Sequence, residues 1–206
     1  MNIALILAAG NSSRFSSDTF KQLYPISGKP IIDWSVDIIS KFFEDIIIVT
    51  NSSCYKKLST KHKVVINDID NRITSIKSAL DTIRDKPYNN ILIHDAARPF
   101  ISEDYILKLL GSSKHYKHSQ YYLPLVNGLA RKSELGWEIA PRENFIELCT
   151  PQITDFNLFK EIFYNYIEPE IQCEILTCLS HFKLEPNLIK GHLKYLRKIT
   201  TIDDIY

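Results

Sequence analysis

Short apolar runs alternate with amphipathic stretches along the first half of the chain. Continuous runs rich in Ile and Val predict buried strands at residues 3–7, 45–50, 63–66 and 90–94. Between them, apolar residues recur at helical spacing and predict helices over residues 30–43 and 72–83. Because strands and helices alternate, and the strands are apolar throughout, the pattern predicts an α/β fold in which helices cover both faces of a parallel sheet.

The pattern changes after residue 120. A strand-like run at 120–126 is followed by the turn signal Asn127-Gly128 and by a polar, mixed stretch that extends to Pro141. We interpret residues 127–141 as a protruding hairpin, or arm. Further along, the spacing predicts amphipathic helices at 156–166 and 170–182, a strand at 187–190 and a short terminal turn or helix at 201–206. With no linker or repeat in the pattern, residues 1–206 are predicted to form a single domain.

The bulk composition is that of an ordinary globular protein, with 206 residues of which 45% are hydrophobic and 24% are charged. The formal net charge is +1, so the global charge does not indicate a nucleic-acid or a membrane partner, and we expect neither. Any phosphate binding must therefore come from basic residues that the fold gathers locally.

The cysteines lack both C-x-x-C spacing and the Cys/His spacing of a zinc site; they are Cys54, Cys149, Cys173 and Cys178. We expect buried free thiols in a reducing cytosol. The apolar run at residues 2–7 lacks a basic flank and is too short for a signal sequence or a membrane span. A cytoplasmic location is therefore predicted.

A run of small residues directly follows the first predicted strand. It is Ala8-Ala9-Gly10-Asn11-Ser12-Ser13-Arg14, with Lys21 seven residues beyond. Such a loop lets backbone N–H groups approach phosphate oxygens closely, and Arg14 and Lys21 can add positive charge. The spacing is that of neither a Walker A loop nor a G-x-G-x-x-G loop. On these residues alone, a phosphate site and a plain turn remain equally open.

A second polar cluster, His94-Asp95-Ala96-Ala97-Arg98-Pro99-Phe100, follows the strand predicted at 90–94. Ligands of open α/β sheets bind beyond the carboxyl ends of the strands, so Asp95 is placed to face a ligand or a metal. The alternative is an Asp95–Arg98 pair that only stabilises the loop. Two further motifs, Arg142 with Thr150-Pro151-Gln152 and Lys198-Ile199-Thr200-Thr201, are weak alone because surface Arg and Lys are usually solvated.

Taken together and in order, these motifs resemble those of the cytidylyltransferases that make CDP-alcohols. The shared pattern is A-A-G-x3-R, K-Q, H-D-A-A-R-P-F, R-x7-T-P-Q and K-I-T, and it covers nearly the whole chain. The resemblance is to the 2-C-methyl-D-erythritol 4-phosphate cytidylyltransferase family and its sibling branch that acts on D-ribitol 5-phosphate. It implies a Rossmann-like, three-layer nucleotidyltransferase fold with a mostly parallel sheet. The protruding β-arm, here near 127–141, usually forms a homodimer.

The reaction that the resemblance implies is attack by a phosphate oxygen of a small alcohol phosphate on the α-phosphorus of CTP, which releases pyrophosphate. Catalysis then consists mainly of positioning and of electrostatic stabilisation. Mg²⁺ or another divalent cation is the implied cofactor, held mainly by the triphosphate, with Asp95 as a possible protein ligand.

The resemblance also assigns roles to individual residues. Those implied to bind the nucleotide are Ala8, Ala9, Gly10, Asn11, Ser12, Asp70, Ser75, Asp95 and Ala96. The catalytic cations are Arg14, Lys21, Lys198 and Arg142. The alcohol phosphate is assigned to Asp95, Arg98, Arg142 and Thr150, with Arg142 serving the neighbouring subunit of a homodimer.

The chain departs from the family pattern mainly where base and alcohol are recognised. The residues that replace common ones are Ser12 and Ile69 for glycine, Phe20 for proline, Asn127-Gly128 for Asp-Thr, and Cys173-Glu174 for Thr-Asp. Relatives also generally continue beyond the position of Tyr206 into a final helix. The implied catalytic cations are all present, so an active enzyme is expected.

Four functions are compatible with these motifs. Ala-Ala-Gly and Asp-Ala-Ala-Arg-Pro favour 2-C-methyl-D-erythritol 4-phosphate as the alcohol phosphate and a role in isoprenoid precursor synthesis. Pro141-Arg-Glu-Asn144 and Lys198-Ile-Thr-Thr201 favour D-ribitol 5-phosphate and a role in cell-wall or capsule synthesis. The other two are a catalytically inactive nucleotide-binding homologue and a sugar-nucleotide transferase that uses UTP or GTP. We predict the first.

Overall fold

The computed structural model describes residues 1–15, 19–134, 136–167 and 174–205. The strands in this part of the chain are β1 (Asn2–Ala8), β2 (Pro25–Ile26), β3 (Lys29–Pro30), β4 (Asp45–Thr50), β5 (Lys63–Ile66), β6 (Asn90–Asp95), β7 (His118–Pro124), β8 (Leu129–Ser133), β9 (Gly136–Ala140), β10 (Ile146–Asp155) and β11 (Asn187–Lys190). The α-helices are α1 (Ile31–Ile39), α2 (Ser52–Tyr55), α3 (Arg72–Asp81), α4 (Glu103–Ser112), α5 (Phe156–Asn165), α6 (Glu174–Leu179) and α7 (Leu193–Leu196).

The main sheet has seven strands in the described part of the chain, in the order β11-β7-β10-β6-β1-β4-β5. The pairs β1–β4, β1–β6, β4–β5 and β7–β11 are parallel, whereas β10 runs antiparallel to both of its neighbours. The sheet is thus mostly parallel. The carboxyl ends of β1, β4 and β6 meet at one edge, where the loops after these strands come together.

Both faces of the sheet are buried. Alternate residues of β1 show this, because Ile3 and Leu5 pack into the cluster that also contains α3 and α5 residues, and Ala4 and Ile6 pack into the cluster formed with α1 and α4. Helix α5 is fixed at its start by Asp155, whose Oδ1 accepts a hydrogen bond from the Leu158 N–H at 3.0 Å. The predicted three-layer α/β fold is confirmed.

Several elements differ from the sequence prediction. Helix α1 ends at Ile39 rather than residue 43, because buried Phe43 packs into the core from the turn that follows the helix. Helix α4 and strand β10 were not predicted. α4 buries only Ile106 and Leu109, which is a narrow apolar face, and β10 carries buried polar residues that break the apolar pattern. The first residues of the helix predicted at 170–182, residues 170–173, lie outside the described ranges, and Cys173 is one of them.

The predicted arm is a hairpin of β8 and β9 that forms a separate two-stranded sheet. Trp137 and Ile139 lie on one face of β9 and are 74% and 85% exposed. The role of the arm in dimerisation stays a prediction.

The described cysteines Cys54, Cys149 and Cys178 are buried free thiols. Among the described residues, no helix combines the length and apolar character that crossing a membrane requires.

Candidate active site

The loop that follows β1 lies at the carboxyl edge of the sheet, and side chains from neighbouring elements bind its carbonyl groups. Thr50 Oγ1 donates to the Ala8 carbonyl at 3.3 Å, and Asn51 Nδ2 donates to the Ala9 carbonyl at 3.1 Å. Gln22 Nε2 also donates to Ala8 O. Carbonyl oxygens repel phosphate, so their engagement by these donors favours a loop that presents N–H groups to an anion.

A cleft of about 270 Å³ opens between this loop, the amino-terminal end of α3 and the carboxyl end of β6. The structure brings every residue predicted to bind the nucleotide to this cleft, together with the predicted cations of the loop and the C-terminal segment. The lining residues include Ala8, Ala9, Gly10, Asn11, Ser12, Arg14, Lys21, Asp70, Ser75, Asp95, Ala96 and Lys198.

The two sides of the cleft are joined near the start of α3. Asn11 Nδ2 donates to Asp70 Oδ2 at 3.1 Å, which connects the loop after β1 with the segment before α3. The Ser75 hydroxyl donates to the Asn71 carbonyl at 3.0 Å and accepts from Asn67 Nδ2 at 2.9 Å. Both sides of the cleft are therefore held by hydrogen bonds, and polar side chains face it at this end.

Three cations gather around the middle of the cleft. Burial lowers the pKa of Lys21, and the positive charges of Lys198 and Arg14 lower it further. Like charges in one cleft repel each other, so a bound anion would stabilise them. In the described structure Asp95 opposes them, and it raises the Lys21 pKa. The cluster therefore has the character of a polyanion site.

Asp95, at the end of β6, is the acidic centre of the cleft. Arg72 Nη1 lies 2.5 Å from its Oδ1, and Lys198 Nζ lies 2.9 Å from its Oδ2. Arg98 Nε is 3.9 Å from Oδ2. Burial raises the pKa of Asp95, but the attraction of Arg72, Lys198 and Arg98 outweighs burial and holds the pKa well below its usual range. Asp95 is therefore a permanent carboxylate rather than a proton donor.

Arg98 and Thr150, which were assigned to the alcohol phosphate, lie next to Asp95 rather than among the residues that line the cleft. Thr150 Oγ1 accepts a hydrogen bond from the Asp95 N–H at 3.0 Å. Arg98 is 5% exposed, and its Nη1 donates to the Leu196 carbonyl. The structure thus shows Arg98 stabilising both the Asp95 loop and the segment that leads to Lys198. A contact with the alcohol phosphate stays a prediction.

Arg142 lies in a short 3-10 helix, Arg142–Asn144, at the base of the arm. Its Nη1 donates to the Val126 carbonyl at 2.6 Å, and it is not among the residues that line the cleft. Within one copy of the chain the structure does not bring Arg142 to the other predicted cations.

Two residues of the cleft were missed by the sequence prediction. Arg72 enters the prediction only as the first residue of the helix at 72–83, and its ion pair with Asp95 joins positions 23 residues apart. Gln22 was quoted only as part of the Lys-Gln motif, yet it is 3% exposed and hydrogen-bonds the loop after β1. The signal that the sequence offers for Gln22 is its place directly after Lys21, close to the phosphate-loop candidate; its burial is visible only in the structure. Sequence spacing contained no comparable signal for Arg72.

A small-residue loop after the first strand of a three-layer α/β sheet, facing a cleft with gathered cations, is the arrangement that the sequence motifs predict for a nucleotidyltransferase. The comparisons with known proteins give the particular family. The model of the 2-C-methyl-D-erythritol 4-phosphate cytidylyltransferase family matches residues 2–206, and the chain belongs to this family.

Individual relatives agree with this assignment. The 2-C-methyl-D-erythritol 4-phosphate cytidylyltransferase of Thermosipho melanesiensis is 29% identical over 217 residues, which cover 100% of this chain and 95% of the relative. The crystal structure of the Francisella tularensis enzyme of that name is 27% identical with a TM-score of 0.78, covering 99% of this chain and 96% of that one. The bifunctional IspDF of Campylobacter jejuni shares the fold, with a TM-score of 0.82 at 23% identity; the match covers 98% of this chain and 53% of that one.

Membership of this family makes the chain a cytidylyltransferase, an enzyme of isoprenoid biosynthesis that joins CTP and 2-C-methyl-D-erythritol 4-phosphate. The predicted family, fold and activity are confirmed. The alternatives raised by the sequence, a ribitol phosphate substrate and an inactive homologue, are not favoured by these relatives.

Proposed function

We propose that the cleft between the loop after β1, the start of α3 and the end of β6 is where this chemistry takes place, and that its three cations are the catalytic groups. The observation that carries the proposal is that Arg14 and Lys21, from the N-terminal segment, meet Lys198, from the C-terminal segment, in one cleft lined by the small-residue loop. The triphosphate of CTP lies along that loop and these cations. The cytosine and ribose then lie towards Asp70 and Ser75, at the other end of the cleft.

The chemistry needs no general base. At neutral pH a phosphate monoester is largely a dianion, since its second pKa is about 6, so its oxygen is already a nucleophile. This oxygen attacks the α-phosphorus, and the bond from the α-phosphorus to the bridging oxygen of pyrophosphate breaks. Negative charge grows on the α-phosphoryl oxygens and the leaving group, where Arg14, Lys21 and Lys198 stabilise it.

Asp95 orients Lys198 without removing it from the reaction. An ammonium group has three N–H donors, and the ion pair at 2.9 Å uses one of them. Two donors remain for phosphate oxygens, and the Lys198 side chain is 44% exposed to the cleft and solvent. We therefore assign Asp95 the role of fixing the direction of Lys198 between the nucleotide and the second substrate.

The second substrate is proposed to bind on the Asp95 side of the cleft. Arg98 and Thr150 shape this side from behind Asp95. Arg142 completes the site if two copies of the chain pair through their arms, since Arg142 lies at the base of the arm and away from its own cleft. A homodimer is thus part of the proposal.

A divalent cation such as Mg²⁺ is also part of the proposal. Among the described residues, no group of three or more His, Cys, Asp or Glu side chains gathers as a metal site. Both carboxylate oxygens of Asp95 already contact cations. This donor set fits an ion held mainly by the triphosphate, with Asp95 as a possible single protein ligand. When bound, the ion would neutralise part of the phosphate charge.

We also propose a cytoplasmic location, in which the free thiols of Cys54, Cys149 and Cys178 stay reduced.

The test of the proposed site is pyrophosphate release from CTP and 2-C-methyl-D-erythritol 4-phosphate by the wild type and by Arg14→Ala, Lys21→Ala and Lys198→Ala. Each variant should lower kcat/KM by about two to four powers of ten, as expected when a preorganised charge on the transition state is removed. Lys114→Ala, an exposed lysine beyond α4, is the matched control and should retain full activity. Near-wild-type rates in the three cleft variants would contradict the assignment.

A further inference from the structure

Ser12 has a backbone conformation that serine rarely adopts. Its φ is +57°, in the left-handed region that favours glycine. An L-residue in this region is strained, and a side chain that makes specific contacts there can make a contribution that glycine cannot. The side-chain contacts of Ser12 show what this contribution is.

The Ser12 hydroxyl joins two parts of the cleft wall. It donates to Gln22 Oε1 at 3.0 Å and accepts from the backbone N–H of Lys21 at 3.0 Å. A hydroxyl has one hydrogen to donate, and the contact with Gln22 uses it; the Gly10 carbonyl, at 3.5 Å, is the more distant acceptor. Phosphate oxygens only accept hydrogen bonds. While the contact with Gln22 lasts, Ser12 can therefore offer a phosphate its backbone N–H but not its hydroxyl.

The orientation of the Gln22 amide follows from its partners. Nε2 faces the carbonyls of Ala8 and Gly10, at 2.5 and 3.4 Å, so the NH₂ group must lie on that side. Oε1 then faces the Ser12 hydroxyl. Gln22 is 3% exposed, and an amide buried this deeply is stable only when its donors and acceptor are satisfied. The contacts with the loop satisfy both donors and the acceptor of Gln22.

We propose that Ser12 and Gln22, the Ser12–Gln22 pair, are positioning residues that set the triphosphate-binding shape of the loop and place Lys21 beside it. Gln22 directly follows Lys21, and the Ser12 hydroxyl binds the Lys21 N–H. The pair thus connects the loop that carries Arg14 to the start of the 3-10 helix that carries Lys21. This inference rests on the proposed function of the cleft and adds residues that act on substrate through Lys21 and the loop backbone.

The pair acts on one substrate only. Its contacts lie on the loop and Lys21, which face the triphosphate, and not on Asp95, Arg98 or Thr150. Removal of the hydroxyl should therefore raise KM for CTP and lower kcat, because Lys21 loses its placement. KM for the alcohol phosphate should stay unchanged. General destabilisation would not produce this separation between the two substrates.

The chain contains a matched control for backbone strain. Ser27 has a φ of +50° and lies in the exposed turn between β2 and β3, outside the cleft. Ser27→Gly and Ser12→Gly relieve similar strain, but only the second removes the hydroxyl from Gln22 and Lys21. Ser27→Gly should leave CTP affinity unchanged, whereas Ser12→Gly should weaken it.

The decisive experiment is calorimetric titration of the full chain with CTP and Mg²⁺, for the wild type, Ser12→Ala, Gln22→Met and the double variant. We expect each single variant to weaken CTP binding by about five- to twentyfold. The double variant should bind CTP no more weakly than the single variant with the lower affinity, since the two substitutions break the same connection. Thermal unfolding of each variant verifies that it is folded, and Ser12→Gly replaces any variant that is not.

The outcomes separate the two proposals. Wild-type affinity in the single variants would overturn the role of the Ser12–Gln22 pair, as would losses that simply multiply in the double variant. Both results leave the proposed function standing. A wild-type protein that does not bind CTP would overturn the proposed function itself, and the pair's role with it.

Discussion

At the scale of single residues, Asp95 collects the charges of the cleft, and Arg72 is its nearest partner. Lys198 and Arg72 bind opposite oxygens of the Asp95 carboxylate. Without Arg72, one oxygen loses its charged partner while the group stays buried, and the carboxylate would draw more strongly on Lys198. Because Arg72 binds one oxygen of Asp95, Lys198 needs to donate only to the other, and its remaining N–H groups can bind phosphate.

We predict that Arg72→Ala lowers kcat/KM for CTP by about ten- to a hundredfold, since it disturbs the placement of Lys198 rather than removing it. Steady-state pyrophosphate release measures this effect. Lys77→Ala, an exposed cation on the same helix α3, is the control and should behave as the wild type. If Arg72→Ala also behaves as the wild type, its ion pair with Asp95 has no part in catalysis.

Lys21 gives a prediction for pH. Burial and the charges of Lys198 and Arg14 lower its pKa from the ordinary value of 10.5. In the proposed site the triphosphate contacts the protonated form of Lys21, so CTP affinity should fall as pH rises through the lowered pKa and Lys21 loses its charge. The loss should begin below the pH at which an ordinary lysine titrates. Lys21→Arg should move it to higher pH, because the guanidinium stays charged. Calorimetric titration with CTP from pH 7 upwards tests this prediction. It would be refuted if the wild type and Lys21→Arg lost CTP affinity over the same pH range.

At the scale of elements, the arm has an apolar surface that the other described residues do not cover. Trp137 and Ile139 share one face of β9, and exposed Val126 and Phe145 flank the arm. Burial of one such apolar side chain in an interface would stabilise the assembly by about 1.5–3 kcal/mol. A second arm is the simplest partner for such a surface in a chain whose Arg142 lies outside its own cleft.

We therefore expect Ile139→Asp to convert a dimer to monomers and to lower activity with the alcohol phosphate, because Arg142 would no longer reach a neighbouring site. Light scattering gives the mass, and the assay gives the activity. Glu138→Gln, on the opposite face of β9, should leave the dimer intact. A wild-type protein that is monomeric and fully active would contradict the role of the arm.

How well the elements could be predicted depended on how apolar they are. Strands β1, β4 and β6 were found because the sheet buries both of their faces, which requires continuous apolar runs. Strand β5 was found from a similar run, but the prediction that it is buried was wrong, because β5 lies at the edge of the sheet and none of its residues is buried. Strand β10 was not found, because it buries Thr150, Gln152 and Thr154, whose polar groups are satisfied only by the folded structure. The site divides in the same way. The loop motif and Asp95 are visible in sequence, whereas Arg72 is brought to Asp95 only by the packing of α3 on β1 and β4, next to β6.

At the scale of the whole molecule, two buried histidines connect stability to pH. Burial lowers the pKa of His94 and of His118 to about 4 each. Unfolded histidine titrates near 6.5, so between pH 6.5 and 4 the unfolded chain binds protons that the folded chain does not. The free energy of unfolding therefore decreases as pH falls through this window.

Urea unfolding at pH 7 and pH 5 measures this loss. We expect a lower unfolding free energy at pH 5, and a smaller difference between the two pH values in His118→Gln than in the wild type. His115→Gln changes an exposed histidine and should keep the wild-type difference. Equal stability of the wild type at both pH values would show that these histidines titrate normally.

We propose that this cleft transfers the cytidylyl group of CTP to 2-C-methyl-D-erythritol 4-phosphate. The most direct measurement is ³¹P NMR of the wild type with CTP, Mg²⁺ and the alcohol phosphate. We predict pyrophosphate together with the coupled signals of a new diphosphate diester, and neither when Lys21 is replaced by Ala over the same time. CTP left unchanged, or a diester formed only with D-ribitol 5-phosphate, would contradict the claim.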